Sequence, residues 1–139
     1  ETPWAKLGEK WHFMRKGFAS GSAVHWQPEV LETLHRVIQT AVPDGKFVWS
    51  KERVVEIFLP HQDRPWASIE TKKNDAVKLQ LSRPVEAGGI GSVSLLKDEP
   101  VVKTVDGFDL VEMSFSRIEQ VSSEELKSYI VEHAGSIPH

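Results

Sequence analysis

The stretch spanning residues 54–81 constrains the fold of this chain most strongly, because it predicts three β-strands separated by two polar turns. Apolar and polar side chains alternate over residues 76–81, which is typical of a strand with one buried and one solvated face. Residues 54–59 carry apolar side chains on both faces and predict a more central strand, covered on both sides. A turn with a proline at each end, residues 60–65, separates it from the remaining strand, residues 66–72.

The alternation within residues 66–72 also assigns each side chain to a face of the sheet. One face receives Ala67, Ile69 and Thr71, and the other receives Trp66, Ser68 and Glu70. Upstream, residues 47–49 predict a short strand that pairs with residues 54–59 across a polar turn.

A β-hairpin is predicted near the C-terminal end of the chain. Residues 101–105 and 108–115 are strand-like and are separated only by Asp106-Gly107. An Asp-Gly pair suits the tight turn of a two-residue hairpin, because both of its positions require a positive φ angle. The turn therefore fixes which residues face each other across the hairpin.

Two helices are predicted, one on each side of these strands. Residues 28–41 begin with proline, which suits the first helical position, and repeat apolar side chains every three or four residues. In the second helix, Ser122 is the predicted N-cap and Glu125, three residues later, completes a capping box. Gly135 is the predicted stop of that helix.

This order of elements predicts the fold class. A helix, about six antiparallel strands and a second helix favour a two-layer α+β sandwich, with a mostly antiparallel sheet and both helices on one face. Residues 27–139 are expected to form this single α+β domain. Residues 1–26 show no sustained period and are predicted to be an extended N-terminal arm, packed on the core through its aromatic side chains. Residues 11–16 also interleave aromatic and basic groups, a composition that suits stacking on bases and binding phosphates.

Composition narrows the classes of protein to which the chain can belong. The absence of cysteine excludes a disulfide framework and a thiolate zinc site, and fits a reducing compartment. No apolar run approaches the roughly 20 residues that span a bilayer, and the N-terminal sequence does not resemble a signal peptide. We therefore expect a cytoplasmic protein without membrane contact. The missing initiator methionine predicts a piece of a longer polypeptide.

Charge is distributed unevenly along a chain whose net charge is −3. Residues 1–26 carry four basic and two acidic side chains, and residues 46–83 carry eight and five, so these two segments together carry +5. The remaining segments carry −8. A surface built from the basic segments could contact an anionic partner although the whole chain is mildly acidic.

Motifs for catalysis are missing from the sequence. The six histidines include no pair at a recognised metal-ligand spacing. Ser114 and Ser116 lack the glycines of a nucleophile elbow, and the glycine-rich residues 87–92 lack the spacing of a phosphate loop. We therefore predict no catalytic site, no metal site and no cofactor.

Several short motifs resemble one known family. They are Lys16-Gly17-Phe18, Trp26 before the first helix, and Trp66-Ala67 followed by Thr71-Lys72. Together they resemble the accessory region at the far C-terminus of some long forms of the bacterial excinuclease ATPase, the component that recognises DNA damage in nucleotide excision repair. More distantly, the order of elements is similar to the MmcQ/YjbR family, whose frataxin-like fold is described as a DNA-binding double-wing module.

The resemblance and the charge pattern together predict a function. We expect a non-catalytic accessory domain of a DNA-repair protein, with DNA and the rest of the parent repair ATPase as its partners. The residues predicted to contact phosphates are Arg15, Lys16, Arg64, Lys72 and Lys73, with Trp66 as a stacking ring. The competing interpretation is that the two adjacent lysines are merely solvated and that the tryptophan belongs to the core.

Two other classes of function stay open at this point. A module that docks onto another protein is favoured by the acidic side chains in and around the hairpin, which would repel DNA and suit a basic protein surface. They are Asp98, Glu99, Asp106, Asp109 and Glu112. A small-molecule-binding or enzymatic domain would require a closed apolar pocket with convergent polar groups.

Overall fold

The computed structural model describes residues 6, 8, 12, 28–51, 53–60, 62–71, 76–84 and 101–135. Its helices in this part of the chain are α1 (Pro28–Ala41), α2 (Ile118–Val121) and α3 (Glu124–Gly135). Its strands here are β1 (Lys46–Val48), β2 (Val54–Phe58), β3 (Ala67–Glu70), β4 (Val77–Pro84), β5 (Val101–Val105) and β6 (Phe108–Phe115).

The six described strands form one antiparallel sheet in the order β1-β2-β3-β4-β6-β5. Helix α1 packs against both α2 and α3, so the described helices form a second layer. The predicted two-layer α+β fold is confirmed. Hairpin β5–β6 inserts its second strand next to β4, and this leaves β5 at the edge of the sheet.

The core lies between the sheet and the helices. Alternate strand residues are buried there, as the two-residue period requires: Val55, Ile57, Ile69, Val77, Leu79, Leu81, Val111, Met113 and Phe115. The helices contribute Leu31, Leu34, Ile38, Leu126 and Ile130. Strand β2 is buried on this side only, and Val54, Glu56 and Phe58 on its other side are half-buried. The other side is thus partly covered, and the prediction of a strand covered on both sides is met only in part.

Trp66 does not follow the alternation of its strand. The two-residue period predicts that its side chain lies on the same face as Ser68, but it is buried with 3% of its surface exposed. Its indole Nε1 donates a hydrogen bond to Nδ1 of His133 on α3, 3.0 Å away. Strand β3 begins one residue later, at Ala67, so the strand pleat does not fix the direction of the Trp66 side chain.

The start of α3 also differs from the prediction. The backbone N–H of Leu126 donates to Oγ of Ser123 at 3.2 Å, so Ser123 is the N-cap. Ser122 instead follows α2 as its C-cap, and its N–H donates to the carbonyl oxygen of Ile118 at 3.0 Å. The predicted cap is wrong by one residue because α2, only four residues long, shows no recognisable period in the sequence.

The hairpin has the predicted strands and the predicted turn. Asp106 has a φ angle of 52° and Gly107 one of 82°. Positive values at both turn positions are typical of the type I′ turn, whose twist matches that of the flanking strands.

Three residues of the predicted N-terminal arm are described, and His12 is the informative one. It is buried, with Nδ1 2.7 Å from Oγ1 of Thr71 and Nε2 3.1 Å from the carbonyl oxygen of Trp49. A carbonyl only accepts, so Nε2 of His12 carries a proton and donates to Trp49. Lys6 and His12 have helical backbone, and with three described residues the extended arm stays a prediction. The division into an arm and a domain stays a prediction.

Candidate functional site

The face of the sheet that points away from the helices, called the outer face here, carries a row of polar side chains across its middle. The strand register places four side chains in one row across it: Glu56, Ser68, Gln80 and Glu112. Each is a direct cross-strand neighbour of the next, so their side chains lie within reach of one another. This row follows from the alternation that buries the apolar neighbours of these residues on the other side of the sheet.

Glu112 is the most highly connected group of the row. Its carboxylate lies 2.7 Å from Nζ of Lys78 on β4 and 3.1 Å from Nζ of Lys103 on β5, and it accepts a hydrogen bond from Nε2 of Gln80 at 3.3 Å. Its side chain is 10% exposed. The hydrogen bond from Lys78, supported by Lys103 and by the charges of both lysines, holds the pKa of Glu112 below its ordinary value although burial opposes the shift.

The other end of the row carries a second ion pair. Nζ of Lys51, in the turn before β2, lies 2.6 Å from a carboxylate oxygen of Glu56. Lys51 is about half exposed, whereas Glu56 is largely covered. Both carboxylates of the row are therefore matched by lysines from neighbouring segments.

Arg64 lies on the same side of the sheet, above an aromatic ring. Its guanidinium carbon is 4.0 Å from the centre of the Phe108 ring at the start of β6. This distance is typical of a cation–π contact, which holds the arginine in place without neutralising its charge. Arg64 itself is exposed, so its charged group stays available to a ligand.

A depression of about 190 Å³ lies between this pair and the polar row. Its polar lining comes from Glu56, Arg64, Ser68, Gln80 and Ser82, and Leu110 adds an apolar wall. The site therefore combines hydrogen-bonding groups on its floor with an exposed cation at its rim.

Charge is divided between the two layers of the described part of the chain. On the outer face the cations are Lys46, Lys51, Arg64, Lys78 and Lys103, and the strand carboxylates are Glu56, Glu70 and Glu112. In the three helices the exposed carboxylates are Glu29, Glu32, Glu119, Glu124, Glu125 and Glu132, against the cations Arg36 and Lys127. The outer face thus carries a small excess of cations, five against three strand carboxylates, which the exposed Asp63 beside Arg64 reduces further, and the helix side is acidic.

The residues predicted to bind nucleic acid are only partly covered by the structure. Arg64 lies exposed on the outer face. The ring of Trp66 is buried against the helices, and its predicted role as a stacking platform does not agree with this placement, because a stacked base needs an exposed ring face. The other four predicted residues lie outside the described part: Arg15, Lys16, Lys72 and Lys73.

Sequence reasoning missed Phe108 and the role of Glu112 as a partner of lysines. The alternation of residues 108–115 is visible in the sequence and places both side chains on one face. The sequence does not show which strand lies beside β6. In the structure this strand is β4, which is far from β6 in sequence and brings Lys78 beside Glu112. Arg64 reaches Phe108 over a similarly long separation.

Other kinds of site receive no support from the described residues. Among them, no group of three or more histidine, aspartate or glutamate side chains is placed to hold a metal ion. No helix in this part of the chain has the length and apolar character required to cross a membrane. A second depression, of about 290 Å³, lies between the C-terminal ends of α1 and α3, and Asp44 is the charged residue in its largely apolar lining.

Comparison of the chain with protein-family models, with curated proteins and with solved structures finds no match. The resemblance to the accessory region of the excinuclease ATPase, and the more distant one to the MmcQ/YjbR family, therefore stay predictions.

Proposed function

We propose that this chain is a non-catalytic accessory domain that contacts nucleic acid through the outer face of its sheet. The observation that carries the proposal is the uneven charge of the two described layers, with a small excess of cations on the outer face and a larger excess of carboxylates on the helices. A phosphate backbone gains most from a surface on which cations are grouped, because each contact releases condensed counterions. The acidic helices would keep the same ligand off the opposite side.

The pair formed by Arg64 and Phe108 supports this proposal. A guanidinium held over a ring by a cation–π contact keeps its N–H groups available to a base or a phosphate. Sheets that display basic and aromatic side chains bind single strands by stacking and charge together. The half-buried Phe58 adds a second aromatic side chain on the same face.

The strength of the contact is limited by the carboxylates of the polar row. Lys78 and Lys103 are already engaged by Glu112, and Lys51 by Glu56. Phosphates would compete with these carboxylates for the lysines, so we expect modest affinity, which suits an accessory role. The parent protein, a repair ATPase related to that of the bacterial excinuclease, is supported by the motif resemblance alone.

The experiment is fluorescence anisotropy of labelled single-stranded, duplex and bubble DNA with the chain, at low and near-physiological salt. We expect affinity that falls steeply as salt rises, and weaker binding by Arg64→Ala. The matched control is Arg36→Ala, which removes the same charge from the helix side, where Arg36 pairs with Glu32 at 3.7 Å. Equal losses in both variants, or no binding to any DNA at low salt, would overturn the proposal.

A second candidate is a protein-docking module that uses the acidic helix layer. The excess of carboxylates on the described helices favours a basic partner surface. The decisive variant is Glu132→Lys, which reverses an exposed charge in the last turns of α3. Docking predicts that this variant weakens complex formation with the parent protein and leaves the DNA contact of the sheet side intact.

A further inference from the structure

We infer that the depression on the outer face is a pocket for one unpaired nucleobase that presents N–H donors, and that guanine fits it best. This inference rests on the proposed function, because it names the part of a nucleic acid that the same face would recognise. The pocket floor is built from three adjacent strands, since Glu56, Ser68 and Gln80 are successive cross-strand neighbours. A floor made of strands holds its side chains in a fixed arrangement, as selective recognition requires.

The floor is rich in hydrogen-bond acceptors. Nε2 of Gln80 donates to Glu112 on β6, so the amide oxygen of Gln80 remains an acceptor on a side chain that lines the depression. Glu56 gives one oxygen to Lys51, and a carboxylate has about four lone-pair positions, so it keeps acceptor capacity. The hydroxyls of Ser68 and Ser82 can donate or accept.

The rim adds an interaction that does not depend on the type of base. Arg64 lines the depression, and its guanidinium carbon lies 4.0 Å from the centre of the Phe108 ring, a contact that helps to hold the charged group at the rim. Guanidinium planes stack on bases and also bind the phosphates that flank them. The rim would therefore hold any nucleotide of a strand, and the floor would select among the bases.

The acceptors on the floor decide which base fits. Guanine presents two adjacent N–H groups, at N1 and at the exocyclic amine, and a carboxylate can accept both at once. Thymine places one N–H between two carbonyl oxygens, which would face Glu56 and the amide oxygen of Gln80 unfavourably. A base must leave its duplex to present this edge, so the ligand is a single strand or an unpaired position.

The test compares labelled oligo(dT) with the same strand carrying one central guanine, by anisotropy at low salt. We expect the guanine strand to bind at least about fivefold more tightly, the lower limit for one good bidentate contact. Glu56→Gln should remove this preference, and because it also frees Lys51, oligo(dT) binding should stay the same or tighten by up to about fivefold. Ser68→Val, which narrows the depression without changing charge, is the second variant and should likewise remove the preference for guanine.

The possible outcomes separate this inference from the proposed function. Binding without any preference for guanine would overturn the base pocket and leave the nucleic-acid contact standing. No binding to either strand would overturn both. A titration with dGMP alone distinguishes a mononucleotide from a strand as the ligand. If dGMP binds as tightly as the guanine strand, the depression is a mononucleotide site, and the assignment to a strand is overturned.

Discussion

The indole N–H of Trp66 and Nδ1 of His133 form a hydrogen bond of 3.0 Å inside the core, between residues that lie 67 positions apart. It joins the segment before β3 to the last turns of α3, and both partners are buried. Because Nδ1 accepts, the neutral ring carries its proton on Nε2. The bond therefore fixes both the tautomer of the histidine and the inward direction of the tryptophan.

Trp66→Phe removes the donor and keeps an aromatic ring. We expect the free energy of unfolding to fall by about 1–3 kcal/mol, since a buried acceptor loses its donor. Urea denaturation followed by circular dichroism measures this. His133→Leu and the double variant complete a thermodynamic cycle, and losses that simply add would show that the two side chains do not stabilise each other.

Ser123→Ala should destabilise the chain by about 0.5–2 kcal/mol, because it removes the oxygen that accepts the N–H of Leu126 at the start of α3. Ser122→Ala is the matched control, because Ser123 and not Ser122 accepts the N–H of Leu126. We expect this variant to change the free energy of unfolding by no more than about 0.5 kcal/mol. Thermal unfolding of the two variants gives the answer. A larger loss of stability in Ser122→Ala than in Ser123→Ala would instead identify Ser122 as the N-cap, as the sequence predicts.

Gly107→Ala tests the turn of the hairpin. Its φ angle of 82° is one that residues with a Cβ rarely adopt, and no atom lies within 4 Å of an added Cβ, so the effect comes from the backbone alone. We expect a loss of about 1–2 kcal/mol in the free energy of unfolding. Gly135→Ala, also without a neighbour within 4 Å and without a positive φ angle, should be neutral or slightly stabilising.

Glu112 makes the free energy of unfolding depend on pH. Its pKa is lowered in the folded chain from an ordinary 4.5, so its contribution is fully present above that value and is lost as the pH falls through the lower folded pKa. Glu112→Gln should cost about 1–2 kcal/mol at neutral pH, a value discounted for the exposure of the lysines. The difference between the two proteins should shrink below about pH 4.5. Parallel curves of unfolding free energy from neutral to acidic pH would contradict this.

The same substitution should act oppositely on ligand binding. Without the carboxylate, Lys78 and Lys103 keep their charges on the outer face but lose their partner. If nucleic acid binds there, Glu112→Gln should tighten binding about two- to fivefold at low salt, the range that partly exposed charge interactions give. The measurement is anisotropy of single-stranded DNA, and weaker binding by the variant would place the ligand elsewhere.

The sequence predicts those parts of the fold that are determined by near neighbours. Hairpin β5–β6 is correct to the residue because its turn requires Asp106-Gly107, and α1 is correct because its apolar stripe is continuous. Trp66 is placed on the wrong face because its direction depends on His133, a partner that no local period reveals. The cap at Ser122 is misassigned because a four-residue helix precedes it.

The candidate site is less predictable for the same reason. Arg64 can be chosen from the sequence as a cation in a turn, but its position depends on Phe108, which lies on a strand two places away in the sheet. Glu112 gains its lysines from β4 and β5, one on each side of its own strand. Lys78 and Lys103 lie beside Glu112 only because of the strand order, and the strand order is a property of the whole sheet.

The uneven charge of the two layers gives the described part of the chain an electrical direction. With a net charge of −3, it would be repelled as a whole by a distant polyanion. At closer range, the opposite signs of the two described layers would produce a torque that turns the sheet towards the polyanion and the helices away. Orientation would then precede contact, and a chain that is acidic overall would arrive with its basic side first.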